Sequence, residues 1–143
     1  MAKSRRKVFI SAAASDMSLV RELTARLEAA GIDAWNPIVQ ALPGTNVSAE
    51  VGRALDEAEA VIVLVSPAAM KAPGVRQEIQ FALGQERFQD RLIPVLAKQT
   101  PSDEIPWILR DLQWAKGSAD KVADQILKVL HAPKRRETRA EVR

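Results

Sequence analysis

The side chains able to do chemistry are few, and their scarcity narrows the reactions open to this chain. There is no Cys and a single His, His131. Disulfides and thiolate zinc sites are therefore excluded, and a Ser–His–Asp triad or a histidine metal site would rest on His131 alone. No G-x-G-x-x-G follows a strand-like run and no Walker lysine loop occurs, which removes the dinucleotide and P-loop fingerprints. Ser11 and Ser66 stand at the ends of the first and third strand-like runs, where a phosphate-accepting receiver domain would need acids to hold a divalent cation. No pair of acids shares a strand end, as two-carboxylate hydrolysis requires. Neither a metal nor a bound cofactor follows from these residues. One acid stands out. Glu78 falls in the first turns of an amphipathic run and projects between Phe81 and Ala82, at the margin of its apolar stripe. A carboxylate there either offsets the helix dipole, worth about 0.3–1 kcal/mol, or serves as an anion half withdrawn from water. Sequence physics alone favours the dipole.

The elements that would position Glu78 alternate in type. Residues 7–11, Ile32–Trp35, Ala60–Val65 and 91–96 read as short apolar strands, with a fifth at 113–115. The run AVIVLV is continuous and β-branched, as in a central strand covered on both faces. Pro94 lies inside the fourth strand and predicts irregular pairing there. Between the strands, residues 17–30, 47–58, 75–87 and 118–130 carry apolar side chains at helical spacing. Ser15 and Ser118 are candidate N-caps, and Gly31 marks a helix end. Residues 36–46 hold Pro37, Pro43 and Gly44 and read as a loop, as do 66–74 and 98–109. Five strands alternating with helices predict an α/β fold with one parallel sheet covered on both faces. Ligands in such folds sit beyond the carboxyl ends of the strands, here residues 11–16, 35–46, 66–75 and 97–113.

Length and charge agree with one globular domain. The 143 residues match a prior of about 150 per domain, and no run approaches the ~18 apolar residues of a membrane helix. The N-terminal residues lack the pattern of a secretory signal. A cytoplasmic protein that does not engage membrane is expected. The net charge is +3, but it belongs to the ends: residues 1–6 and 132–143 read as a basic extension and a basic, disordered tail around a domain at 7–131. The folded part has no basic face, and no aromatics are interleaved with the basic ends to stack bases. Nucleic acid is not an expected partner.

The segments VFISAAASD, GIDAWNP, LPG, AVIVLVSPAAMKAPGVRQEIQFAL, LIPVL and PWILRDLQW together resemble the TIR (Toll/interleukin-1 receptor) domain family in order and spacing, bacterial members especially. The likeness covers about residues 7–130. It implies a flavodoxin-like fold with five parallel strands. Residues 36–46 would form the so-called BB loop, with Leu42, Pro43 and Gly44 as its assembly tip, and Glu78 would occupy the position of the glutamate with which enzymatic members cleave NAD. NAD would then be a substrate, not a cofactor.

That reaction suits an isolated carboxylate. The nicotinamide ring nitrogen is already cationic in NAD, so the leaving group departs neutral and needs no general acid. Positive charge develops on the ribose, where one anion in a low-dielectric pocket stabilises it. Backbone N–H groups of residues 11–15, including Ser11 and Ala12, could receive phosphates without a lysine. Trp35 could stack a base or simply close the core at its strand end. Asn36 could bond ribose or start a turn, the turn being favoured. Ser66 would complete the substrate side. Several family positions are altered: Ala12 stands in place of a tyrosine, and Ala69, Ala72, Gly74 and Val75 replace Tyr, Ser, Trp and Cys, while Ser66, Pro67 and Glu78 are kept.

Two functions of different class follow from the resemblance. One is an NAD-cleaving enzyme, a glycohydrolase or ADP-ribose cyclase in bacterial immune or antiphage signalling. It would be switched on by homo-oligomeric assembly through the BB loop and served by a separate sensor or effector protein. The other is a non-catalytic TIR interaction module, an adaptor or a mimic of host signalling, in which Glu78 only caps its helix. Glu78 favours the enzyme; the shrunken side chains around it favour the module.

Overall fold

The computed structural model describes residues 6–132. The extension expected at 1–6 and the tail expected at 132–143 lie outside the described residues, apart from Arg6 and Ala132. The fold is organised around β3 (Ala60–Val65), whose six residues are all buried. It lies between β1 (Arg6–Ser11) and β4 (Leu92–Leu96), and β2 (Ile32–Trp35) pairs with the far side of β1, giving the parallel order β2-β1-β3-β4. A fully buried strand cannot be polar on alternate residues, which is why AVIVLV has the central place.

Alternation along the strands divides the core into two layers. Val8, Ile10, Ile62, Leu64, Ile93 and Val95 face α1 (Met17–Ala29) and α7 (Ala119–His131), meeting Val20, Leu23 and Leu27 of the first and Val122, Ile126 and Leu130 of the second. Phe9, Val61, Val63 and Val65 point to the other face. There they meet Leu55 of α3 (Val47–Glu57), Met70 of α4 (Pro67–Lys71) and Val75 and Ile79 of α5 (Pro73–Leu83). The expected α/β sheet with helices on both faces is present, and the boundaries of α1, α3 and α7 fall within one or two residues of their sequence pattern.

Among the described residues four strands form rather than five. Residues 113–115 contribute one parallel bridge, Val95 with Ala115, in which the Ala115 amide donates to the Pro94 carbonyl at 3.0 Å. The next bond of a parallel ladder would need an N–H from Pro94 on the same edge, and proline has none. On the other side Gly117 turns the chain away at φ 110°. The irregularity that Pro94 imposes therefore lies on the outer edge of β4, while its pairing with β3 runs unbroken from Leu92 to Leu96.

Three segments expected to be loops contain helical turns. Asn36 and Ser66 each precede a proline and accept backbone bonds as N-caps, starting α2 (Pro37–Gln40) and α4. Proline at the first helical position loses no bond, because that N–H is unpaired in any helix. The third segment holds a 3-10 turn at Ser102–Glu104 and α6 (Trp107–Arg110). Helix α5 starts at Pro73 and stops at Gly84, short of the expected 87, and a 3-10 turn at Glu86–Phe88 follows. Ser15 does not cap α1; its hydroxyl is exposed in the 3-10 turn Ala14–Asp16, and Asp16 holds the N-cap position without a side-chain cap bond. Gly31 does end α1, at φ 88°.

Candidate functional site

Ser11 is the last residue of β1 and shares the face of Phe9, so its side chain points toward α5. Glu78 is the sixth residue of α5 and comes down to meet it: Ser11 Oγ donates to Glu78 Oε1 at 2.5 Å. Ser11 is fully buried and Glu78 half-buried. Burial pushes the Glu78 carboxyl above its ordinary range, and the bond from Ser11 pulls it partly back. The dipole role expected from sequence fits this position poorly, since that effect fades beyond the first turn.

Glu78 lines a cleft of about 590 Å³ at the carboxyl end of the sheet. Ala12, Ala13 and Ala14 form its floor beyond β1, Ile38 comes from α2 in the segment after β2, and Val47, Val51 and Leu55 come from α3. Glu78 is the only ionisable side chain among the described residues that line it. A charge in such a cleft is opposed by little except the developing charge of a ligand, and the low local dielectric strengthens that interaction. The cleft offers no cation for a phosphate. No group of three or more His, Cys, Asp or Glu side chains able to hold a metal ion occurs among the described residues.

The expected site residues do not all meet. Ser11, Ala12 and Glu78 come together. Trp35 lies outside the cleft: its ring packs on Phe9, centroids 5.6 Å apart, beside another hollow of about 290 Å³ over β2 and α3. Asn36 is buried, with Oδ1 accepting from the Ile38 and Val39 amides and Nδ2 donating to the Ile10 carbonyl. Ser66 is also buried. Its hydroxyl donates to Asp16 Oδ2 at 2.6 Å and accepts from the Ala69 amide. Leu42, Pro43 and Gly44 form an outward turn closed by a bond from Thr45 N to Leu42 O, with Leu42 73% exposed and Gly44 at φ 83°. His131 is exposed at the end of α7, far in sequence from any of these groups.

Of the residues that shrink relative to the family pattern, Ala12, Ala72, Gly74 and Val75 line the cleft, whereas Ala69 is on α4 and buried in the core. A Cβ at Gly74 would meet nothing within 4 Å. A small side chain at position 74 would therefore enter open space at the cleft wall.

Sequence reasoning did not find Phe81, Ile38, Val47 or Asp16. Phe81 lies three residues after Glu78 on the same helix, a spacing that puts both on one face. Ile38 in α2 and Val47 at the start of α3 are large apolar residues left 51% and 46% exposed on either side of the turn at Pro43. Asp16 is the one acid in the small-residue stretch after β1 and is buried at 4% exposure; Lys98 Nζ stands 3.4 Å from its Oδ1.

Comparison with known proteins matches residues 8–130 to the family described as TIR domain. Among solved structures, the chain is similar to a TIR-STING receptor from C. gigas, with 26% identity and a TM-score of 0.67. That match covers 89% of this chain and 40% of that one. It is also similar to the TIR domain of the Toll-related receptor TRR-2 from Hydra magnipapillata, with 24% identity, a TM-score of 0.63, and coverage of 75% and 80%. A diflavin flavoprotein A3 from Nostoc shares the fold at 11% identity and a TM-score of 0.52, over 90% of this chain and 97% of that one. No curated protein matches the chain.

Proposed function

Because this chain belongs to the TIR domain family, we propose that it cleaves NAD between ribose and nicotinamide, with Glu78 as the residue that stabilises the transition state. One observation carries the reading. Glu78 is a half-buried carboxylate in a cleft whose other described walls hold no ionisable side chain, and one of its oxygens is already held by Ser11. An anion placed where the ribose becomes cationic lowers the barrier most when water and competing charge are absent. The ring nitrogen of NAD is positive before the bond breaks and neutral afterwards, so a single carboxylate suffices.

The cleft of about 590 Å³ is in the range of ligand sites and too open to enclose a whole dinucleotide. Nicotinamide and its ribose would occupy it, against Ile38, Val47 and Phe81, and the rest of the substrate would extend over the mouth widened by Ala72 and Gly74. Self-association through the turn at Leu42, Pro43 and Gly44 would complete that mouth with residues of a second copy. Its exposed leucine supports this part of the reading. As nicotinamide leaves, water that gives up a proton, or an adenine nitrogen of the same molecule, bonds to the ribose C1′, so the products are nicotinamide and linear or cyclic ADP-ribose, acting in immune signalling. Among the described residues no helix is long and apolar enough to cross a membrane.

The test is nicotinamide release from NAD by the full chain over a wide range of protein concentration, comparing the wild type with Glu78→Ala and Glu78→Gln. Loss of at least about 100-fold in kcat for both variants, with folding retained, is the expected result. A wild type inactive at every concentration, or variants as active as the wild type, would overturn the proposal and leave an interaction module.

A further inference from the structure

We infer that Ser11 is a positioning residue for Glu78: its buried hydroxyl fixes one carboxylate oxygen so that the other is aimed into the cleft. This rests on the reading of Glu78 as the reacting anion, and it assigns Ser11 a task on the protein side of the site. Ser11 is wholly buried, so no surface of it is offered to a ligand, and its hydroxyl donates to Oε1. Oε2 has no partner among the described residues and is not sealed from solvent.

The strand makes this arrangement stiff. Ser11 is in register with Val63 on one side, while Phe9, two residues earlier, pairs with Val61 and, across β1, with Trp35. A donor at the end of an inner strand is held far more tightly than one on a loop, as a reactive geometry demands. Glutamate has three side-chain torsions and would otherwise sample several rotamers from the second turn of α5. Pinning Oε1 leaves a single free oxygen on the cleft side. A hydrogen bond to the charged form also favours ionisation, against the larger opposing effect of burial. No other charged group intervenes. The walls facing Glu78 are alanines beyond β1, Ile38 of α2, Val47 and Val51 of α3, and uncharged Gln77 and Phe81 of its own helix.

The experiment uses the full chain labelled with carbon-13 at the glutamate side-chain carboxyl, titrated by NMR without NAD, in the wild type, Ser11→Ala, Ser11→Cys and Ser11→Thr. Glu78→Gln identifies the resonance. Loss of the donor in Ser11→Ala should raise the Glu78 midpoint by about one pH unit, and Ser11→Thr, which keeps a hydroxyl, should return most of it. Ser11→Cys fills the same space with a much weaker donor and should behave as Ser11→Ala, so a poorly folded alanine variant leaves the question answerable. In NAD cleavage the acid limb should move upward by the same amount, with the loss in kcat and little change in KM. An unchanged Glu78 midpoint in both donor-poor variants overturns the role of Ser11, whatever the activity. A shifted midpoint in a chain that never cleaves NAD leaves the Ser11–Glu78 pairing standing and overturns the proposed reaction instead.

Discussion

Asn36 holds the segment after β2 against the end of β1: its Nδ2 donates to the Ile10 carbonyl at 2.8 Å, while Oδ1 caps α2 by accepting from the Ile38 and Val39 amides at 2.9 and 3.2 Å. Ile10 immediately precedes Ser11, and Ile38 is a wall of the cleft. One buried amide therefore ties the wall to the floor.

Asn36→Ala should cost about 2–3 kcal/mol, combining a lost helix cap with a buried carbonyl left without a donor. Asn36→Asp keeps the cap acceptor but loses the donor, so it should fail to restore the wild type. Chemical denaturation measures the loss, and hydrogen exchange of the Ile38 and Val39 amides should quicken in the alanine variant. Stability within about 0.5 kcal/mol of the wild type would show that the bond to Ile10 contributes nothing.

A second tie joins the start of α1 to the end of β3. Ser66 Oγ donates to Asp16 Oδ2 at 2.6 Å, both side chains are buried, and Lys98 approaches the other oxygen from beyond β4. Asp16→Ala and Ser66→Ala should each destabilise by about 1–3 kcal/mol, since either leaves a buried polar partner unmatched. The double variant should cost less than the two added together by at least about 1 kcal/mol, as for residues in one network. Added salt should change the result little, because the Ser66 bond is shielded from solvent. Additive losses would mean that the two side chains act independently.

These ties explain which parts of the molecule were legible from sequence. β3 declared itself because a fully buried strand needs an unbroken apolar run, and α1, α3 and α7 did so because three or more turns display their periodicity. Helices α2 and α4 are four and five residues long, too short for any period. Their only mark was a capping residue followed by proline, in Asn36-Pro37 and Ser66-Pro67, which also reads as a turn. The missing fifth strand depended on which edge of β4 the bare nitrogen of Pro94 faces, and that is settled by three-dimensional pairing. In the site, Glu78 was visible at the margin of an amphipathic helix and through the resemblance. Its partner Ser11 is 67 residues away and was expected to offer its backbone N–H to a phosphate, not its hydroxyl to Glu78. Asn36 was expected to start a turn and does cap α2, Trp35 was open between a stacking and a core role and packs on Phe9, and Ser66, expected on the substrate side, bonds Asp16 instead.

The two roles weighed for Glu78 make opposite predictions for stability against pH. Burial raises its carboxyl above the ordinary value of 4.5, so the folded state binds this proton more tightly than the unfolded chain does. Its favourable contribution is therefore present in full below 4.5 and is lost as pH rises through the folded-state value. At neutral pH the wild type thus carries a half-buried anion that Glu78→Gln lacks, and Gln Oε1 can still accept from Ser11. The variant should melt at a higher temperature than the wild type at neutral pH, with the gap closing as pH falls through the carboxylate range. A gain in stability coupled to a loss of NAD cleavage is what a functional site gives when its strained charge is removed. A carboxylate kept for the helix dipole would do the reverse: Glu78→Gln would melt lower at neutral pH, and the deficit would shrink on acidification as the wild type lost its charge. Thermal melting of the two proteins across that pH range decides between them.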